Sequence, residues 1–200
     1  MILTLIRHGI TAGNAQRFYY GAADIPLLPE GEAALKELAA KGAYPTAARY
    51  HTSPLIRTEQ TFSILYGDTP HTPIEGLREM DFGDFEMRYM AGDLENDPVF
   101  QAWRQDATGA VLCPNGESML QVQSRALEAL APVIAAGEDT VCVIHGVVIT
   151  LLMWHWFPDG QPKPFDRIPA PGTGFQIEFD AVRPVSFTPI PYGGQIEPRW

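Results

Sequence analysis

Apolar positions along this chain fall into short unbroken runs, separated by longer stretches with a helical period. Ile2 to Ile6 is one such run and predicts a buried strand; Val141 to Ile144 is another. Glu30 to Lys41 places Ala34, Leu35 and Leu38 on one helical face, with Gly42 beyond the end. Arg49 to Thr52 predicts a short strand. Ser53-Pro54 then has the form of an N-cap with proline at the first helical position, opening a helix to about Tyr66 that Gly67 stops. A further extended segment is expected near Pro73 to Gly76. Ser118 to Ala136 predicts a long helix closed by Gly137, and Val147 to Trp156 an apolar helix stopped by Pro158. Phe175 to Phe179 alternates apolar and polar residues, as a half-exposed strand does. Strands alternating with helices predict an α/β fold with a largely parallel sheet.

Phe82 to Asn115 lacks a period. Its mixture of Gly, Asp, Asn and aromatic residues predicts loops and short helices over one end of the sheet. Half of the 18 prolines lie after Phe157, so loop and edge strand are expected there. A length of 200 residues, 46% hydrophobic and 19% charged, suits one globular domain over 1–200 with a cap-like excursion at about 82–116. The opening apolar run is too short for a signal peptide, and Arg7 ends it. The stretch from Val141 to Phe157 carries His145 and His155 and lacks the length of a membrane span.

Charge changes the picture of partners. A formal net charge of −10 disfavours nucleic acid and anionic membranes, and it makes any group of arginines informative. Cys113 and Cys142 do not amount to a disulfide framework; Cys142, inside an apolar strand, reads as a buried thiol, and a reducing cytoplasm is the expected location.

Two apolar strands empty into the same dipeptide: Ile6 leads to Arg7-His8-Gly9, and Ile144 to His145-Gly146. In an open α/β sheet ligands bind outside the carboxyl ends of the strands, so both histidines are expected at one crevice. An arginine fork suits phosphate, and its charge beside His8 keeps that imidazole neutral and nucleophilic. Gly9 would let the backbone approach an anion. His145-Gly146 precedes a helix, whose N-terminus attracts anions. Arg57, one turn into its helix, brings the donors for a phosphoryl group to four. Taken singly, each has a plainer reading: a histidine satisfied by a backbone carbonyl, or an arginine on a solvated helix face. For a proton donor, Glu79 lies between apolar neighbours that would raise its pKa; Glu86 competes for the role.

The motifs occur in a recognisable order: Arg7-His8-Gly9, Asn14, Gly21, Asp24-Ile25-Pro26-Leu27 with Gly31, Ser53-Pro54-Leu55 with Arg57, Leu77 with Glu79, Gly83 with Glu86, Gly116-Glu117-Ser118 and His145-Gly146. From Ile2 to about Leu152 the chain resembles the histidine phosphatase superfamily, also called phosphoglycerate mutase-like. The resemblance implies a three-layer α/β/α sandwich with a mostly parallel sheet of about six strands. It implies that His8 becomes a phosphohistidine, that Arg7, Asn14, Arg57 and His145 hold the phosphoryl oxygens, and that Glu79 acts as general acid and base. It implies no metal and no cofactor. Two positions depart from the family pattern: Ile10 stands where Glu or Gln is common, and Met87 where a glycine usually follows the second glutamate.

Within the family, true mutases usually carry Trp-Asn where this chain has Gly13-Asn14. They also present extra arginines where Phe82 to Asn115 holds only Arg88 and Arg104. Hydrolysis of a small phosphomonoester is therefore expected. Leu77 to Ser118 is similar to the α-ribazole phosphatase branch, with Asp97-Pro98-Val99-Phe100-Gln101-Ala102-Trp103 and Asn115-Gly116-Glu117-Ser118, which implies α-ribazole 5'-phosphate as substrate. Broad-specificity phosphatases share much of this pattern. Ile10, Phe18, Tyr19, Gly21 and Glu86 are the expected substrate-pocket residues. Phe18, Tyr19 and Tyr20 either stack on an aromatic leaving group or pack the cap. The alternatives are a phosphoglycerate mutase, a catalytically inactive phosphate-binding or interaction module, and a metal hydrolase, for which no closely spaced His-Asp motif exists. The oligomeric state is open, a dimer included.

Overall fold

The computed structural model describes residues 1–42, 44–158 and 168–190. In chain order the elements are β1 (Ile2–Arg7), α1 (Ala12–Gln16), β2 (Phe18–Tyr19), α2 (Pro29–Ala40), β3 (Arg49–Thr52), α3 (Ile56–Tyr66), β4 (Thr72–Pro73), β5 (Arg88–Tyr89), α4 (Pro98–Arg104), α5 (Met119–Ala136), β6 (Thr140–Ile144), α6 (Gly146–Trp156), β7 (Gly174–Asp180) and β8 (Arg183–Ile190). Strands form one six-stranded sheet in the order β4-β3-β6-β1-β7-β8. The first four are mutually parallel; β7 runs antiparallel to β1, and β8 antiparallel to β7.

The sheet is covered on both faces. Leu3, Leu5, Cys142 and Ile144 pack with Val122, Ala126 and Leu130 of α5 and Val148 and Leu152 of α6. The intervening strand residues Ile6, Val141 and Val143 pack instead with Phe62 of α3. Successive strand residues point to opposite faces, so these two clusters are the two sides of the sheet and the fold is a three-layer α/β/α sandwich. Burial on both faces is why β1 and β6 are continuous apolar runs rather than alternating ones. The long α5 starts at a capping box: Ser118 Oγ accepts from Gln121 N, and the Gln121 side chain accepts from Ser118 N.

Most element boundaries lie within a residue or two of the sequence reading. One start signal is a correction. Helix α3 begins at Ile56 with Leu55 at its N-cap and no side-chain cap, and Ser53 Oγ bonds Leu55 N and His145 Nε2 instead. The extended segment expected to reach Gly76 shrinks to the edge strand β4, followed by a 3-10 turn at Glu75–Leu77. The proline-rich part after Phe157 supplies the edge strand β8, while 159–167 and 191–200 lie outside the described residues.

The segment from Phe82 to Gly116 carries two 3-10 turns, β5 and α4. It is stitched to the rest by pairing of β5 with β2 (Phe18 opposite Tyr89, Tyr19 opposite Arg88). Phe85, Leu94, Phe100, Trp103 and Cys113 are buried in the same cluster as α5. Arg88 is spent internally, on Asp93 and Asp97. Among the described residues no helix is long and apolar enough to cross a membrane, and Cys113 and Cys142 are both buried free thiols.

Candidate active site

Parallel pairing of β1 with β6 puts Arg7 opposite Ile144, so His8 and His145 leave the sheet side by side. Their rings meet edge-on with centroids 5.4 Å apart. Both imidazoles are buried, and each has one nitrogen committed. His8 Nδ1 lies 2.7 Å from Gly9 O. A carbonyl only accepts, so Nδ1 carries the hydrogen and Nε2 presents a lone pair. Burial first, then the charges of Arg57 and Arg7, hold the His8 pKa well below the ordinary histidine value. His145 is held low by burial and by Arg57 in the same way. Its Nε2 lies 2.6 Å from Ser53 Oγ, which itself accepts from Leu55 N.

The two arginines are anchored at their tips. Arg7 donates from Nη1 to Pro169 O at 2.7 Å. Arg57 is fully buried and donates to Ala23 O and Gly21 O at 2.8 and 2.7 Å, with its guanidinium 5.1 Å from the centre of the Tyr20 ring. Both Nε groups, and His145 Nδ1, are buried with no hydrogen-bond partner among the described residues. An unmet buried nitrogen costs about 1–3 kcal/mol, so these three call for partners that the described residues do not provide.

Asn14 is held by its oxygen. Oδ1 accepts from Thr11 N, Thr11 Oγ1 and Tyr20 Oη, which leaves the amide nitrogen for another acceptor. Gly13 makes room for this: a Cβ there would lie 2.3 Å from the Tyr20 ring. Glu79 is buried, accepting from Met80 N at 3.0 Å and from Val147 N, in the first turn of α6, at 3.2 Å. Burial raises its pKa; the Met80 N–H, Arg57, the Val147 N–H and Arg7 oppose the rise. Arg7, His8, Asn14, Arg57 and Glu79 all line one cavity of about 350 Å³, which Arg17, Phe18, Tyr19, Met90 and Arg104 line as well.

Not every expected pocket residue is there. Ile10, Gly21 and Glu86 do not line the cavity, and of the His145-Gly146 pair Gly146 lines it and His145 does not. Glu86 uses both oxygens on backbone N–H groups of Gly21, Ala22, Ala23 and Phe82, so it organises the loop below Arg57 and is not placed to give a proton to a ligand. Gly21 is needed for close approach, since a Cβ would sit 1.7 Å from Met80 O. Ile10 packs its backbone on Gly31 of α2. Gly9 serves packing rather than an anion: its N–H donates to Thr61 Oγ1, and a Cβ would lie 2.6 Å from Leu35 Cδ1. Tyr19 meets Phe82 and Phe100 edge-on, so most of its ring packs the segment over the site. Ser53 has the sequence signature of a cap; the fold places it against His145, 92 residues away.

The chain matches the histidine phosphatase superfamily (branch 1) over residues 3–183. It belongs to that superfamily. As a histidine phosphatase superfamily member it is similar to the α-ribazole phosphatase of Shigella flexneri, with 26% identity and a TM-score of 0.77 over 92% of this chain and 93% of that one. It is also similar to YhfR of Bacillus stearothermophilus, with 28% identity and a TM-score of 0.79 over 92% and 94%. In sequence it is 31% identical to the 2,3-bisphosphoglycerate-dependent phosphoglycerate mutase of Cytophaga hutchinsonii, over 77% of this chain and 76% of the relative. The superfamily thus brings both phosphatases and mutases to this fold. Its pattern also puts Met87 in a new light. Met87, where the resemblance leads one to expect a glycine, takes φ 57°, in the left-handed region that favours glycine.

Proposed function

We propose that the protein hydrolyses small phosphomonoesters through a phosphohistidine, as one unit whose residues 82–116 form a cap over the site. The observation that carries this reading is the set of three unmet buried nitrogens, Arg7 Nε, Arg57 Nε and His145 Nδ1, around a neutral His8 of fixed tautomer. In the first step His8 Nε2 attacks phosphorus and the bond to the leaving oxygen breaks. The proton on the Glu79 carboxyl passes to that oxygen, releasing an alcohol. In the second step water attacks the phosphohistidine, its proton goes to the Glu79 carboxylate, and the N–P bond breaks to give inorganic phosphate. The two arginines, Asn14 and His145 stabilise the charge on the equatorial oxygens. Ser53 Oγ–H donating to His145 Nε2 leaves the hydrogen on Nδ1, the nitrogen that then serves as donor.

His8→Ala should bring turnover to background and remove the acid-labile phosphoenzyme; activity near wild type in that variant defeats the mechanism and leaves an inactive binding module. The apolar and aromatic part of the cavity lining (Phe18, Tyr19, Met90) and the likeness to an α-ribazole phosphatase support α-ribazole 5'-phosphate as substrate. A phosphomonoester panel that includes it is the test. The mutase reading keeps one supporting observation: Arg17 and Arg104 also line the cavity and offer charge for a second anionic group. Phosphate release measured against isomerisation of 3-phosphoglycerate decides between the two. The charge of −10 and the small cavity support a diffusible small-molecule substrate in the cytoplasm, with neither nucleic acid nor membrane as partner.

A further inference from the structure

Glu79 lies on a segment, Arg78 to Phe82, that belongs to no helix or strand. Something other than a regular ladder must therefore hold its backbone. Arg125, in the second turn of α5, does so with all of its donors. Nη1 donates to Gly76 O and Arg78 O at 2.9 and 2.7 Å, and Nη2 to Glu79 O at 3.0 Å. The remaining hydrogens on Nη2 and Nε go to the two carboxylate oxygens of Glu117, at 2.9 and 2.7 Å. Glu117 in turn grips the far side of the segment: its Oε2 accepts from Asp81 N, and its own N–H donates to Asp81 O, each at 2.9 Å. A guanidinium has five N–H hydrogens, and here every one is used. The segment also lies directly on α5, since a Cβ on Gly76 would be 2.7 Å from Ala129 Cβ.

We infer that the Arg125–Glu117 pair is a positioning device for Glu79, fixing the backbone on both sides of that residue so that its carboxyl faces the leaving oxygen. Neither side chain touches the cavity, so the pair acts on proton transfer and leaves phosphate binding alone. Arg125 and Glu117 are each about a quarter exposed, and among the described residues their side-chain polar atoms bond only to one another and to the backbone of Gly76 to Asp81. Small misplacement of a reacting group is enough to matter: about 1 Å can cost ~10²-fold in rate.

The inference rests on Glu79 being the acid, and the experiment separates the two. Glu117→Gln, Arg125→Lys, Glu79→Gln and the Glu79→Gln/Glu117→Gln double variant are assayed on p-nitrophenyl phosphate and on glycerol 2-phosphate, with inhibition by inorganic phosphate and thermal unfolding measured alongside. The alkyl ester needs its leaving oxygen protonated; the nitrophenyl ester needs this far less. Expected is a loss of roughly tenfold or more in kcat/KM on the alkyl ester, with threefold or less on the aryl ester and no change in phosphate inhibition, for Glu117→Gln and Arg125→Lys. In the double variant Glu117→Gln should add little to the loss from Glu79→Gln. Equal loss on both esters by the pair variants, or full multiplication in the double variant, overturns the inference while Glu79 keeps its role. Equal loss on both esters by Glu79→Gln itself removes the acid assignment and the inference with it. Should Arg125→Lys unfold, Glu117→Gln, which keeps the shape, carries the test.

Discussion

A single imidazole can be a base, a ligand or a nucleophile, and what selects among these is the hydrogen bond on its other nitrogen. For His8 that bond goes to its neighbour's carbonyl, for His145 to Ser53. The two histidines, alike in sequence, thereby acquire different work. His8 offers a lone pair, and in the proposed mechanism His145, with Ser53 donating to its Nε2, offers a hydrogen. Ser53→Ala should lower kcat by about ten- to a hundredfold, less than the roughly 10²–10³-fold for outright loss of an oxyanion donor, and cost about 1–3 kcal/mol of stability, because Leu55 N and His145 Nε2 lose a buried partner. The measurement is steady-state kinetics on an aryl phosphate together with the ¹⁵N shifts of His145, which should lose the Nδ1–H tautomer. An unchanged tautomer with lowered kcat would place the role of Ser53 elsewhere.

At the scale of elements, two backbone positions show how the site is mounted. Gly21 passes so close to Met80 O that a Cβ has no space, and the same loop gives its carbonyl to Arg57 and its N–H to Glu86. Gly21→Ala should therefore weaken phosphate binding and cost stability together, by about 2 kcal/mol or more, within the range for a strained backbone. Met87 is the opposite case. Its left-handed backbone and exposed side chain mean that Met87→Gly should stabilise the fold by about 0.5–1 kcal/mol, read from urea unfolding, because relief of the left-handed strain exceeds the entropy cost of glycine. A loss of stability would show that the methionine side chain packs to more purpose than its exposure suggests.

For the molecule as a whole, burying two neutral histidines and a carboxyl in one place makes stability depend on pH. The folded-state pKa of His8 and of His145 is lowered, so the unfolded chain takes up protons near pH 6.5 that the folded one refuses. Their contribution is complete above that pH and is lost as pH falls, by up to about 1.4 kcal/mol per pH unit for each histidine. Glu79 has the reverse sign. Its raised folded pKa favours the folded state below about pH 4.5, where both states are protonated, and that advantage is lost as pH rises through the folded value. Urea unfolding between pH 5 and 7.5 should show stability rising with pH, less steeply in His8→Gln and more steeply in Glu79→Gln. Equal slopes in wild type and His8→Gln would mean that His8 is charged in the folded protein. The net charge of −10 adds a general repulsion, but it is spread over the surface and lacks this local sign.

Much of this protein follows from local pattern. Buried parallel strands must be apolar on both faces, so Ile2 to Ile6 and Val141 to Ile144 announce themselves, and a dipeptide at a strand's carboxyl end has few places to go. The sandwich, the crevice and the histidine pair were legible for that reason. Hydrogen-bond partners distant along the chain were not. Ser53 reads as a helix cap until β3 and β6 lie side by side and bring it to His145. Glu79 and Glu86 share one acidic run, in which the sequence favours Glu79 and leaves Glu86 in competition; the fold spends Glu86 on four backbone N–H groups and turns Glu79 into the cavity. Arg125 reads as a polar position on a long helix until the Gly76 to Asp81 segment crosses it. Sequence by itself determined which chemistry is present, because that depends on residue type and on strand ends. Tertiary structure decided which hydrogen bonds each of these groups makes, because a hydrogen bond is specified by distance and direction in space, and neither is written in local order.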